Sequence, residues 1–184
     1  MTAHPADIVT FWRQAGPGRW FKKSAAFDDA IRLKFEPTHH AAARGQYDAW
    51  SQTADGALAL LILLDQFPRN LYRGSAHSYA TDPLARHFAR QAIAGGHDRA
   101  TEPLLRGFFD LPFMHSEDLV DQDRAVALCE AMRRETGEPG NLEAAIEHRG
   151  IIARFGRFPH RNRALGREST PEEQAFLDEG GFAG

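Results

Sequence analysis

Apolar positions recur along this chain at helical spacing, and no stretch alternates apolar and polar residues as a half-buried strand does. Ser24 precedes Phe27, Ile31 and Phe35, spaced by four, which predicts a helix opened by a serine cap. Pro37 falls inside that pattern, which runs on to Arg44, and is expected to kink or split the helix. Ala57 to Leu64 is apolar at every position. Leu and Ala favour helix over strand, and a helix apolar on all sides belongs in the middle of its domain. Further starts are read at Asp82-Pro83, Thr101-Glu102-Pro103, Ser116-Glu117-Asp118 and Asn141, with a capping box at Thr170-Pro171-Glu172-Glu173. Stops are read at Gly95-Gly96, Gly137 and Gly180-Gly181. The pattern predicts an all-α chain of about eight to ten helices, a helical array or compact bundle, with at least about 60% of residues helical and no sheet.

Linkers are short and no low-complexity stretch divides the chain, so residues 1–184 are expected to form one all-helical domain. With 42% hydrophobic and 26% charged residues, the composition is that of an ordinary globular protein. The net charge of -3 argues against a general nucleic-acid binder. The single cysteine, Cys129, excludes an internal disulfide and a Cys-based zinc finger, and its apolar neighbours make it a core residue. The longest apolar run is too short for a membrane span, which needs about 20 residues. Met1 to Asp7 lacks both the basic and the apolar part of a signal peptide, so a cytoplasmic location is expected.

Charge is unevenly placed. Arginine outnumbers lysine 19 to 3, and residues 150–166 hold four arginines and no acid. Glu117 to Glu138 holds seven acids against three arginines, which suits two neighbouring helices that attract each other. A last long helix is expected from about Asn141 to Pro159. Ala145, His148, Ile152, Phe155 and Pro159 fall on one stripe, which turns His148 toward the core. Arg149, Ala153, Gly156 and His160 form the next stripe, its small residues leaving a gap between a cation and an imidazole. Another helix or a ligand could fill that gap. Phe67-Pro68-Arg69-Asn70 is echoed by Phe158-Pro159-His160-Arg161-Asn162. Each reads as a helix terminator, or both as polar ends that build one site.

Asp65 follows eight apolar residues, so its ionised carboxylate needs a partner. Arg149, Arg154 or Arg157 is the expected one. The candidate ligand-binding set is Asp65, Arg69, His115, Glu117, His148, Arg149, Arg157, His160 and Arg161. Convergent arginines and histidines of this kind suit a small anion such as a carboxylate or phosphate, with Asp65 or Glu117 orienting them. The same residues also suit a purely architectural network. Metal-ligand signatures and the phosphate-loop and dinucleotide fingerprints are missing, so no metal and no cofactor is expected. Whether the chain is an enzyme, and in what oligomeric state it acts, stay open.

Several stretches together resemble a known family. They are Phe11-Trp12, Arg19-Trp20-Phe21, Leu64-Asp-Gln-Phe-Pro-Arg-Asn70, Tyr72-Arg-Gly74, His115-Ser-Glu-Asp118, Asp121-Gln122, His148 to Asn162, and Leu165 to Glu173. The chain is similar over nearly its whole length to the bacterial family catalogued as domain of unknown function 924. The resemblance implies a tetratricopeptide-like helical fold and no assigned activity. Two partners follow as expectations: a small anionic ligand, or a protein or peptide held in a concave groove. An RNA contact through the Arg-rich helix and its phenylalanines is the weakest of the readings.

Overall fold

The computed structural model describes residues 4–183; the first residues of the stretch read above for a leader lie outside it. The chain is 73% helical, with no strand among the described residues. These residues gather into two compact units. The first holds residues 4–73 and 77–112, and the second residues 74–76 and 113–183.

The first unit runs through α1 (Pro5–Ala15), α2 (Pro17–Trp20), α3 (Ala25–Ala43), α4 (Ala54–Leu61), α5 (Phe67–Leu71), α6 (Asp82–Ala94), α7 (His97–Ala100) and α8 (Pro103–Arg106). The short α9 (Leu111–Met114) spans the boundary in the chain. Ser24 caps α3 by accepting the Phe27 N–H, as its position predicts. Pro37 does not split α3, which continues to Ala43. The apolar run is the centre of the unit: every residue from Ala57 to Leu64 is fully buried. Helices α1 and α6 pack on α4, and rings from Trp12, Phe27, Phe35, Phe67 and Phe108 complete the core.

The end of that run differs from a simple terminator. After Leu61 the helix widens into a π turn, Ile62–Gln66, and Phe67 to Leu71 continue as α5. Proline explains this. Pro68 has no N–H to give the carbonyl four residues back, Leu64. The Thr81 hydroxyl donates to that carbonyl instead, and His39 Nδ1–H donates to the Leu63 carbonyl at 2.8 Å. The wider turn thus turns carbonyls toward side-chain donors, and its buried backbone stays satisfied.

The second unit is built on α10 (Leu119–Thr136), α11 (Leu142–Phe155) and α12 (Pro171–Asp178). Helix α10 packs along α11, with Ala125, Cys129, Met132, Leu142, Ala145 and Ile152 buried between or beside them. Cys129 is buried in this core, as expected. Asp118, rather than Ser116, caps α10: its carboxylate accepts the Val120 N–H, while Ser116 accepts from Asp118. Thr170 and Glu173 form the expected capping box at the start of α12.

Helix α11 is shorter than its sequence pattern. It ends at Phe155 because Gly156 takes φ +69°, the left-handed conformation that closes helices. Phe158 is then extended, and Pro159–Arg161 form a single 3-10 turn. His160 is therefore not on the helix that carries His148, and Gly156 is a cap rather than a gap between side chains. No helix among the described residues is long and apolar enough to cross a membrane.

Candidate functional site

The nine candidate residues divide between the units: Asp65 and Arg69 belong to the first, the other seven to the second. In the first unit Asp65 is 1% exposed. It does carry an arginine, but that arginine is Arg69, one turn along, at 3.4 Å. The three arginines expected for it hold other acids: Arg149 bonds Asp123, Arg154 bonds Glu172 and Arg157 bonds Glu173. Partner choice here follows helix geometry, since residues four apart lie on one face. Arg69 also grips Asp82 with two bonds of 3.0 Å and lies over the Tyr79 ring. Gln66 donates to the other Asp65 oxygen at 2.5 Å. Asn70 and Arg73 share Asp28. The first Phe-Pro motif is thus the polar hub of its own unit.

In the second unit three elements bring His115, Glu117, His148, His160 and Arg161 together. The turn before α10 carries His115 and Glu117. Gln122, fully buried, pins this turn by donating to the Met114 and Ser116 carbonyls, both at 2.6 Å. Helix α11 contributes His148, whose Nδ1–H donates to the Ala144 carbonyl at 2.7 Å; a carbonyl can only accept, so Nδ1 carries a proton. The 3-10 turn contributes His160 and the buried Arg161, whose guanidinium lies 4.4 Å over the Phe158 ring.

Phe182 closes the group, 4.4 Å from His148 and 5.1 Å from His160 between ring centroids. It was not legible in the sequence as a site residue. Its signal was the Gly180-Gly181 turn that precedes it. A Cβ at Gly181 would meet the Phe176 carbonyl and ring at 2.5 Å, so only glycine lets the chain pass there.

The electrostatics of this group are asymmetric. Burial would raise Glu117, but bonds from Arg167 (2.6 and 2.9 Å) and the Phe158 N–H (2.8 Å) outweigh it and hold the carboxylate below its ordinary value. His160 is pushed down to about 3, first by burial and then by the charges of Arg161 and His148; Glu117 pulls the other way. Its Nδ1 is buried and has no hydrogen-bond partner among the described residues. Arg149 lies elsewhere in this unit, in an exposed ion pair with Asp123. Arg157 is held by both Glu173 oxygens and by the Glu168 carbonyl. No group of His, Cys, Asp and Glu able to hold a metal occurs among the described residues.

A pH effect follows. Between pH 6.5 and about 3 the unfolded chain binds a proton at this histidine that the folded protein refuses. Stability is therefore full above pH 6.5 and falls as pH falls through that window, by up to about 1.4 kcal/mol per unit. His39, lowered first by burial, acts in the same sense. His160→Gln should flatten the plot of urea midpoint against pH over this range. An unchanged slope would show that the folded imidazole charges as freely as the unfolded one.

A family model described as "Bacterial protein of unknown function (DUF924)" matches residues 8–181. A solved structure, that of a protein of unknown function, ATU0120, from Agrobacterium tumefaciens, is similar at 55% identity with a TM-score of 0.89. The match covers 96% of this chain and 97% of that one. No curated protein matches.

Proposed function

Since the chain belongs to the bacterial family of unknown function DUF924, we propose its function from its own residues: the second unit binds a small anion, a carboxylate or phosphate, at His160 and Arg161. One observation carries this reading, the buried and unbonded Nδ1 of His160 set beside a guanidinium and two further imidazoles. A buried polar atom without a partner is costly, so such an atom in a native protein asks for an explanation. Cations that depress a neighbouring histidine make a place where negative charge is stabilised. An anion seated there would accept the Nδ1–H and draw His160 back toward its ordinary value. Glu117, already bonded to Arg167, would stay in place and hold the Phe158 end of the turn. With His160 neutral near pH 7, the arrangement favours binding over acid–base catalysis.

The test is thermal unfolding with inorganic phosphate or acetate against chloride at equal ionic strength. At 100 times its dissociation constant a bound anion adds about 2.7 kcal/mol. That gain should disappear in His160→Ala while helical content is kept. Equal gains in both proteins would remove the proposal. The competing tetratricopeptide-like adaptor, which would hold a peptide in a concave groove, predicts no anion-specific gain at all.

A further inference from the structure

The first unit carries a feature of its own. A cleft of about 500 Å³ opens between α1 and α3. That volume falls within the range of small-molecule sites, roughly 300–1,000 Å³. Its apolar part comes from the Phe11 and Phe27 rings, stacked at 5.6 Å and 5°, and from small residues beside them. Ala15, Ala26 and Ala30 leave the room that larger side chains would fill. Its polar part is Gln14, Arg19, Ser24 and Lys34, with no acid among the lining residues.

The cations are uncompensated. Arg19 and Lys34 have no acidic partner among the described residues, and Lys34 Nζ stands 5.2 Å over the Phe11 ring. The acids at the start of α3 are engaged elsewhere: Asp28 holds Arg73 and Asn70, and Asp29 holds Arg32. Lys22 and Lys23 lie in the segment leading into α3, so all three lysines of the chain fall between residues 22 and 34. The rim also meets the first turn of the 19-residue α3, the positive end of its dipole, which favours negative charge. An apolar floor beside an unpaired cationic rim is complementary to one kind of ligand. It has a hydrocarbon body and a single anionic head.

We propose that this cleft binds an amphipathic organic carboxylate, its body against Phe11 and Phe27 and its head at Arg19 and Lys34. The probe is octanoate, compared with octanol, in titration calorimetry on the full chain. Octanoate should bind and octanol should bind at least about tenfold more weakly, since only the carboxylate uses the rim. Lys34→Gln and Arg19→Gln, both exposed, should each weaken octanoate about tenfold with helicity unchanged. Ala30→Phe should fill the cleft and abolish binding. The series is run in a His160→Ala background, which lacks the carboxylate site proposed for the second unit, so that the octanoate binding read is that of the cleft alone. Equal affinity for octanoate and octanol, or an unchanged affinity in either charge variant or in Ala30→Phe, would overturn the proposal. So would binding to vesicles of anionic lipid with no binding of free octanoate.

Discussion

Arg69→Ala is expected to lower the stability of the protein by about 4 kcal/mol, read as a fall in the urea midpoint with an unchanged slope. The guanidinium joins two carboxylates that are both nearly out of water: Asp65 is 1% and Asp82 4% exposed. It also donates to the Asp65 backbone carbonyl, at the edge of the π turn. Burial works against its charge, but the two carboxylates outweigh burial and raise its pKa further. Removing it leaves two buried carboxylates and a main-chain acceptor without that donor, so the loss exceeds that of an exposed pair. Arg69→Lys should recover only part of it, because an ammonium cannot give Asp82 two parallel bonds. A loss below about 1 kcal/mol in Arg69→Ala would mean the network contributes no more than a surface pair.

Glu173→Ala should cost about 3 kcal/mol and should change how the protein responds to acid. The carboxylate accepts from Arg157 at 2.6 and 2.8 Å, from Asn162 at 3.2 Å and from the Thr170 N–H at 2.8 Å. The Arg157 bond, foremost among these, holds its pKa down to about 2, against an ordinary 4.5. The folded state thus stays ionised where the unfolded chain takes up a proton. The stability this gives is complete above pH 4.5 and is lost as pH falls from there through 2. Glu173→Gln, which keeps the shape, should lose less at neutral pH and abolish that part of the acid response. A Gln variant that follows the unaltered protein through this range would show that the charge of Glu173 is not what holds Arg157, Asn162 and the start of α12.

Much of the fold was legible because its signals are local. The caps at Ser24 and Thr170, the wholly apolar Ala57–Leu64 and the lack of strand alternation each depend on a few neighbouring residues. They determined the all-α class, the central helix and many helix ends. Pro37 does not split α3: it lies on the exposed side, and the helix runs on through it. The pattern from His148 to Pro159 reads as one helix in the sequence and is broken in the structure. Periodicity cannot register a single glycine at φ +69°, which ended α11 at Phe155 and put His160 on a separate turn.

What a charged residue meets was decided by the path of the chain. Asp82 opens α6, as its sequence suggests, and is also the partner of Arg69, 13 residues away. Thr81 and His39 answer the carbonyls opened around Pro68, and neither carries a mark in the sequence for that task. In the second unit the cluster of histidines was legible as residue types. Its closure by Phe182 and its anchoring by Arg167 across 50 residues were not. The sequence by itself determined where helices form and which faces are apolar, because backbone propensity and periodicity act over one or two turns. The tertiary structure alone decided which acid holds which arginine and which histidine nitrogen is left unbonded. Those outcomes depend on distances between segments far apart in the chain, and a hydrogen bond is made or lost over a few tenths of an ångström.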